Sequence, residues 1–214
     1  IEKIISESGI VSYNQIHRAL NNTRLIEELG IKSFSFEGYL FPETYKFTKP
    51  ITANEIVKTL VEEQRKRLAQ DLPNWKERAA EIGLNEKKVL ILASIIEKET
   101  GAAEERATIS SVFHNRMKID MPLQSDPTVI YGIKDFNGNI TKKDLQTPSP
   151  YNTYLNSGLT PTPISNPGID SIRAALYPED TDFLYFVSMG DGRHKFSRSY
   201  KEHRAAVKKY QLKK

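Results

Sequence analysis

Read for hydrophobic and polar positions alone, the chain divides into stretches of different rhythm. From Ile1 to about Gly30 it is polar with scattered apolar residues, and Gly9 and Gly30 stand where helices commonly stop, so a short helical lead-in is expected. A dense aromatic run follows, Phe34-Ser35-Phe36-Glu37-Gly38-Tyr39-Leu40-Phe41-Pro42-Glu43-Thr44-Tyr45, too interrupted by Gly and Pro for a helix and expected as strand and turn. Thr52 and Glu55 form the T-x-x-E capping box ahead of an apolar stripe through Ile56, Leu60 and Leu68, which predicts a long helix ending before Pro73. A second helix runs through Trp75 and Ile82 to Gly83. Asn85 caps a third over residues 86–100, and a fourth covers 103–118 with Ile109, Val112, Phe113 and Met117 inward.

Residues 120–168 lose both periods. That stretch is rich in Pro, Ser, Thr, Asn and Gly and is expected as a long loop with embedded short strands; its tyrosines and apolar residues argue for an ordered, functional loop. Residues 170–177 have helical spacing. Phe183 to Ser188 and His194 to Ser197 flank Gly190-Asp191-Gly192 as a β-hairpin, and a basic amphipathic helix closes the chain from Tyr200 to about Leu212. No repeat or low-complexity tract interrupts this order. The expected class is α+β, helices packed with a small antiparallel sheet, as a lead-in over residues 1–33 and a main domain over 34–214.

Composition narrows the function classes. With 214 residues, 38% hydrophobic and 27% charged, the chain can bury a real core. Its net charge of +4 is spread along the sequence, and the terminal Lys208, Lys209, Lys213 and Lys214 read as a solvated face, so nucleic acid is not an expected partner. The absence of cysteine removes disulfides, thiol catalysis and zinc-thiolate sites. His17, His114, His194 and His203 are scattered without metal-site spacing, and neither a P-loop nor G-x-S-x-G is present, so no metal or cofactor is expected. No stretch approaches the ~20 apolar residues of a membrane span. A chain that opens on Ile1 is expected to be part of a longer protein.

Chemistry concentrates at one helix end. Val89 to Ile96 is apolar nearly all round and then yields to Glu97-Lys98-Glu99-Thr100. At 100° per residue Glu99 continues the line of Leu92 and Ile96, while Glu97 points roughly 160° away, so the two carboxyls cannot share one cleft. A carboxyl on an inward stripe at a helix C-terminus has its charged form disfavoured, which suits a general acid. A solvated helix end, or an ion pair with Arg106, fits the same pattern; for Glu97 a structural salt bridge is the stronger alternative. In the long loop, Gln124, Ser125 and Asp126, with Tyr151 and Asn152, combine polar groups and aromatic rings as a sugar site would, although the same residues make ordinary turns.

Several strings resemble the YceG-like (MltG) family of endolytic murein transglycosylases: residues 37–45, Ala93-Ser94-Ile95-Ile96-Glu97-Lys98-Glu99-Thr100, Ser111-Val112-Phe113-x-Asn115-Arg116, residues 123–132 from Leu123 to Gly132, and Tyr151-Asn152-Thr153-Tyr154. Asn166-Pro167-Gly168, Leu184-Tyr185-Phe186-Val187 and His194-x-Phe196 extend the match, which runs from about Phe34 to the end of the chain. The resemblance implies a bacterial enzyme that cuts peptidoglycan glycan strands internally, between N-acetylmuramic acid and N-acetylglucosamine, leaving 1,6-anhydromuramic ends. It implies action at the outer face of the cytoplasmic membrane, anchored by an N-terminal helix and preceded by a LysM-like region that the lead-in would adjoin, with cell-wall synthases as candidate partners. The family's catalytic glutamate maps onto Glu99, with Glu97 as runner-up. Gln124, Ser125, Asp126, Tyr151 and Asn152 are the expected sugar-binding residues, and Glu37 and Tyr39 stand second. The rival expectations are a peptidoglycan-binding scaffold without activity and a hydrolase using Asp126 as the partner carboxylate.

Overall fold

The computed structural model describes residues 1–212 of the chain; Lys213 and Lys214 of the basic tail lie outside the described residues. The lead-in forms three short helices, α1 (Glu2–Glu7), α2 (Tyr13–Leu20) and α3 (Thr23–Glu28). α4 (Ala53–Asp71) begins at the expected capping box: Thr52 Oγ1 accepts from the Glu55 N–H, and the Glu55 carboxylate accepts from the Thr52 N–H. The first half of α4 buries Ile56, Val57, Leu60 and Val61 against Ile16, Leu25 and Ile26 of the lead-in. Phe36 and Leu40 join this cluster, so residues 1–33 share their core with the segment that follows.

The aromatic run expected as strand and turn holds no strand. Around Gly38 and Leu40 its backbone groups are satisfied by side chains instead of a neighbouring strand, while Phe41 N–H donates to the Leu60 carbonyl at 3.2 Å. Asn166 Oδ1 accepts from the N–H groups of Gly38 and Leu40 at 2.8 and 3.1 Å, and Gln64 Nε2 donates to the Gly38 carbonyl at 2.7 Å. Gly38 sits at φ +89°, and a Cβ there would lie 2.4 Å from the Pro163 ring, so both conformation and contact require glycine.

A second and larger core forms around α6. After α5 (Trp75–Glu81), Asn85 caps α6 (Glu86–Glu99) through the Lys88 N–H, and eight successive residues from Val89 to Ile96 are buried. A helix buried on all sides needs neighbours all round. α7 (Arg106–Lys118), entered through a single 3₁₀ turn at Ala103–Glu105, supplies Ile109 and Phe113. The long loop carries no strand; it contains α8 (Asp126–Tyr131), which has Pro127 in its first turn, and α9 (Lys142–Leu145), capped by Thr141 and Asp144. Those local caps supply what pairing strands would otherwise have to. α10 (Ile169–Leu176) packs along α6 with Ile172, Ala175 and Leu176 inward.

The expected hairpin is β1 (Tyr185–Ser188) and β2 (His194–Ser197), antiparallel with Tyr185 opposite Ser197 and Ser188 opposite His194. α11 (Tyr200–Tyr210) starts at a Ser199/Glu202 capping box and lies against both strands. The class is α+β. No helix among the described residues is long and apolar enough to cross a membrane.

Candidate active site

α6 runs apolar as far as Ile96 and delivers Glu99, its last residue, into a cavity of about 380 Å³ that it shares with Arg116, Gln124, Asp126 and Tyr154. The carboxyl is half-buried, and Oε1 accepts a hydrogen bond from the buried Ser125 Oγ. Burial pushes the Glu99 pKa up to about 7; the Ser125 bond opposes this, nearby Asp126 adds to it, and the Arg116 cation pulls back. A group balanced in this way is protonated often enough at neutral pH to give up a proton and ionised often enough to take one.

Thr153 holds the Ser125 segment in place. Its carbonyl accepts from the Gln124 N–H at 2.9 Å, while its Oγ1 accepts from the Ser125 N–H at 3.0 Å and lies 2.8 Å from Thr128 Oγ1. Gln124 itself adopts φ +48°, a left-handed conformation that non-glycine residues reach at a cost of about 1–2 kcal/mol. That strain sits directly beside the groups facing Glu99, as is common at functional sites. Asp126, the first residue of α8, is exposed and its Oδ1 accepts from the Tyr154 hydroxyl at 2.6 Å; burial and this carboxylate together drive the Tyr154 pKa upward.

Arg116 enters from α7. It is buried, its Nε donates to the Leu184 carbonyl at 2.7 Å and its Nη1 to the Leu123 carbonyl at 2.6 Å, and its guanidinium lies 5.4 Å from the centre of the Tyr185 ring. It therefore ties the hairpin to the loop that carries Ser125. Tyr185 and Ser188 of β1, His194 of β2 and Tyr200 and His203 of α11 also line it. His203 stacks on Tyr185 with ring centres 5.2 Å apart, and burial, followed by Arg116, lowers its pKa.

The cavity thus brings together Glu99, Gln124 and Asp126 from the expected set, with Ser125 buried behind them and bonded to Glu99. The other expected residues lie elsewhere. Glu97 Oε2 accepts from the Gly168 N–H at 3.1 Å and Ser171 Oγ at 2.6 Å, so hydrogen bonds to the start of α10, not a salt bridge, occupy it. Arg106 does not pair with Glu99; its Nε is buried without a hydrogen-bond partner among the described residues. Asn152 is fully buried and spends its amide on the loop, donating to the Leu145 and Thr147 carbonyls and accepting from the Tyr154 N–H, which leaves nothing for a sugar. The Tyr151 hydroxyl lies 2.8 Å from Thr162 Oγ1 and its ring packs against Tyr131, outside the cavity lining. Glu37 accepts from Asn166 Nδ2 at 3.0 Å, its pKa raised by burial, and it lines two other cavities with Asn166. Tyr39 lines a further one with Gln64 and Trp75. Among the described residues no three His, Asp or Glu side chains come close enough to hold a metal ion.

Pattern reading passed over Arg116, Tyr154, Tyr185, His194 and His203 as site residues. Each lies within or near a string that carried the resemblance, but their convergence depends on contacts between residues some 70–90 positions apart, such as Arg116 with Leu184 and Glu105 with His194.

Comparison with known proteins gives one consistent answer. A family model described as the YceG-like family matches residues 3–209, which takes in the lead-in as well as the segment from Phe34 onward. A Bacillus subtilis (strain 168) protein named endolytic murein transglycosylase is 43% identical over 175 residues, covering 81% of this chain and 48% of its own length. A Streptococcus pneumoniae (serotype 2, strain D39) protein of the same name is 32% identical over 189 residues, covering 84% of this chain and 34% of its own length. The chain therefore spans about half or a third of these curated relatives. A 2.6 Å crystal structure of a yceG-like protein from Listeria monocytogenes superposes with a TM-score of 0.84 at 33% identity, over 96% of this chain and 71% of that one. With the family model spanning residues 3–209 and a solved yceG-like structure superposing over 96% of the chain, the chain belongs to the YceG-like family.

Proposed function

We propose that this chain carries the catalytic centre of an endolytic murein transglycosylase and that Glu99 alone supplies both its acid and its base. The observation that carries the reading is the Glu99 carboxyl itself, delivered by a buried helix into a cavity and pushed up to about 7 by burial. Its relatives' names give the substrate class, peptidoglycan.

In this mechanism protonated Glu99 gives its proton to the oxygen joining N-acetylmuramic acid to N-acetylglucosamine as the bond from that oxygen to C1 breaks. The resulting carboxylate takes the proton from the muramic C6 hydroxyl, whose oxygen closes on C1. The proton is back on Glu99, no water is consumed, and the new end is a 1,6-anhydro sugar. One carboxyl is enough because the nucleophile is part of the substrate, whereas hydrolytic glycosidases use a pair. Ser125 supports both halves: its hydroxyl stabilises the carboxylate after the first transfer and holds Oε1 in place for the second. Asp126 is exposed and bonded to Tyr154, a setting for holding sugar hydroxyls. Gln124 is exposed beside it. Action on peptidoglycan places the site outside the cytoplasmic membrane; an N-terminal anchor and cell-wall synthase partners belong to the same proposal.

The test is digestion of purified glycan strands with mass-spectrometric analysis of the ends. The expected products carry 1,6-anhydromuramic ends, Glu99→Gln abolishes them with the fold intact, and Glu97→Gln retains them. Reducing muramic ends alone would move the reading to a hydrolase, and binding without any cleavage to a scaffold.

A further inference from the structure

The first residue of β2, His194, lines the Glu99 cavity, and one carboxylate grips it twice. Glu105 Oε1 accepts from the His194 backbone N–H at 2.9 Å, and Oε2 accepts from Nδ1 at 2.7 Å. Only 12% of either side chain is exposed. Because a carboxylate can only accept, the contact selects the tautomer with its proton on Nδ1, the one in which Nε2 is an acceptor. The ring's hydrogen bond among the described residues is the one at Nδ1, which leaves Nε2 for a ligand. The Phe186 ring meets the imidazole edge-on, 5.4 Å away at 89°, and limits its rotation.

Anchoring the hairpin requires only the backbone bond that Oε1 makes. The second bond does something different: it fixes the tautomer and the direction of a ring that borders the catalytic cavity. Glu105 also closes the short connection, residues 100–105, that leads away from Glu99, so one piece of backbone positions both the acid and the imidazole.

We infer that Glu105 and His194 form a substrate-orienting pair in which Nε2 accepts a hydrogen bond from a hydroxyl or acetamido N–H of the sugar seated against Glu99. This rests on the transglycosylase reading and extends it to how water is kept from competing. A sugar fixed at this second point keeps its own C6 hydroxyl nearest C1, whereas a sugar held loosely lets water reach C1 and leaves a reducing end. His194 is a substrate-contacting residue here and Glu105 the residue that positions it; the proton transfers remain with Glu99.

The experiment measures kcat/KM and the ratio of anhydro to reducing ends on glycan strands for the wild-type chain, His194→Ala, His194→Gln and Glu105→Gln, with folding checked by circular dichroism. The expected result for His194→Ala is a fall in kcat/KM on the order of 10²-fold, the scale of a small misplacement of bound substrate. Its products should also contain a higher share of reducing ends. Glu105→Gln shifts both readings the same way by a smaller factor, and added imidazole recovers part of the His194→Ala loss. A folded His194→Ala or His194→Gln chain with an unchanged end ratio and kcat/KM within about twofold of wild type overturns the inference. If His194→Ala does not fold, His194→Gln and Glu105→Gln decide on the same readings. A wild-type chain that releases no anhydro ends overturns the parent reading and this one with it.

Discussion

The last turn of α6 presents two glutamates to opposite surroundings. Glu97 meets the start of α10, where no side chain of that helix caps it, and fills the vacancy by accepting from Gly168 N–H and Ser171 Oγ. A carboxylate there is welcome, since the bare N–H groups and the positive end of the helix dipole both favour negative charge. Glu99, two residues on, meets one hydroxyl, a cavity and the exposed Asp126 carboxylate. The same side chain on the same turn is therefore tied into structural hydrogen bonds on one face and, in the function proposed above, carries the proton on the other. Their offset on the helix sends them to opposite faces, and how much each face repays the loss of water decides the rest.

The sharpest way to break that contrast is to remove the ionisable group from each face. Glu99→Gln is expected to lower turnover on glycan strands by roughly 10²–10⁴-fold, the scale of a lost general acid and base. The same substitution should stabilise the fold at neutral and higher pH. The native Glu99 pKa lies above its ordinary value, so the native state favours the protonated form and is progressively penalised as pH rises from about 4.5 through 7. The difference between wild type and Glu99→Gln, measured by denaturant titration, should vanish near pH 4 and grow to about 3 kcal/mol above pH 7. An equal difference at all pH values would mean that the carboxyl is not held against ionisation.

Glu97→Gln carries the opposite signature and a smaller effect. It removes the charge from two hydrogen bonds that join α6 to α10 and should cost about 1–2 kcal/mol in the same titration, with kcat/KM within a few-fold of wild type. A large loss of turnover in a folded Glu97→Gln chain would exchange the roles assigned to the two faces.

Much of this contrast is legible in the sequence. The divergence of Glu97 and Glu99 follows from helix geometry alone, and the Asn85 and Thr52 caps, the hairpin and the final helix follow from local chemistry. What pattern could not show is which groups meet across the fold. Asn152 and Asn166 look alike as polar loop residues, yet one knits its own loop together and the other substitutes for a β-partner of Gly38 and Leu40. The aromatic run accordingly reads as a strand because its composition fits a pleated surface, while its hydrogen bonds go to Asn166, Gln64 and Leu60. Glu37 and Tyr39 belong to a string shared with the family, yet the fold places them along other cavities.

The finest probe of the Glu99 face changes its neighbours and leaves the carboxyl in place. Ser125 Oγ stabilises the ionised form, so Ser125→Ala should raise the Glu99 pKa and carry the alkaline limb of the kcat/KM profile to higher pH. Asp126 disfavours the ionised form through its own charge, so Asp126→Asn should move the same limb to lower pH. Both variants also disturb the sugar contacts proposed for these residues, and absolute rates will fall in each; the direction of the limb is independent of that fall. Two neighbours on one short loop, each within reach of the same carboxyl, should thus displace one titration in opposite directions. Limbs that move together, or not at all, would place the titrating group elsewhere than Glu99.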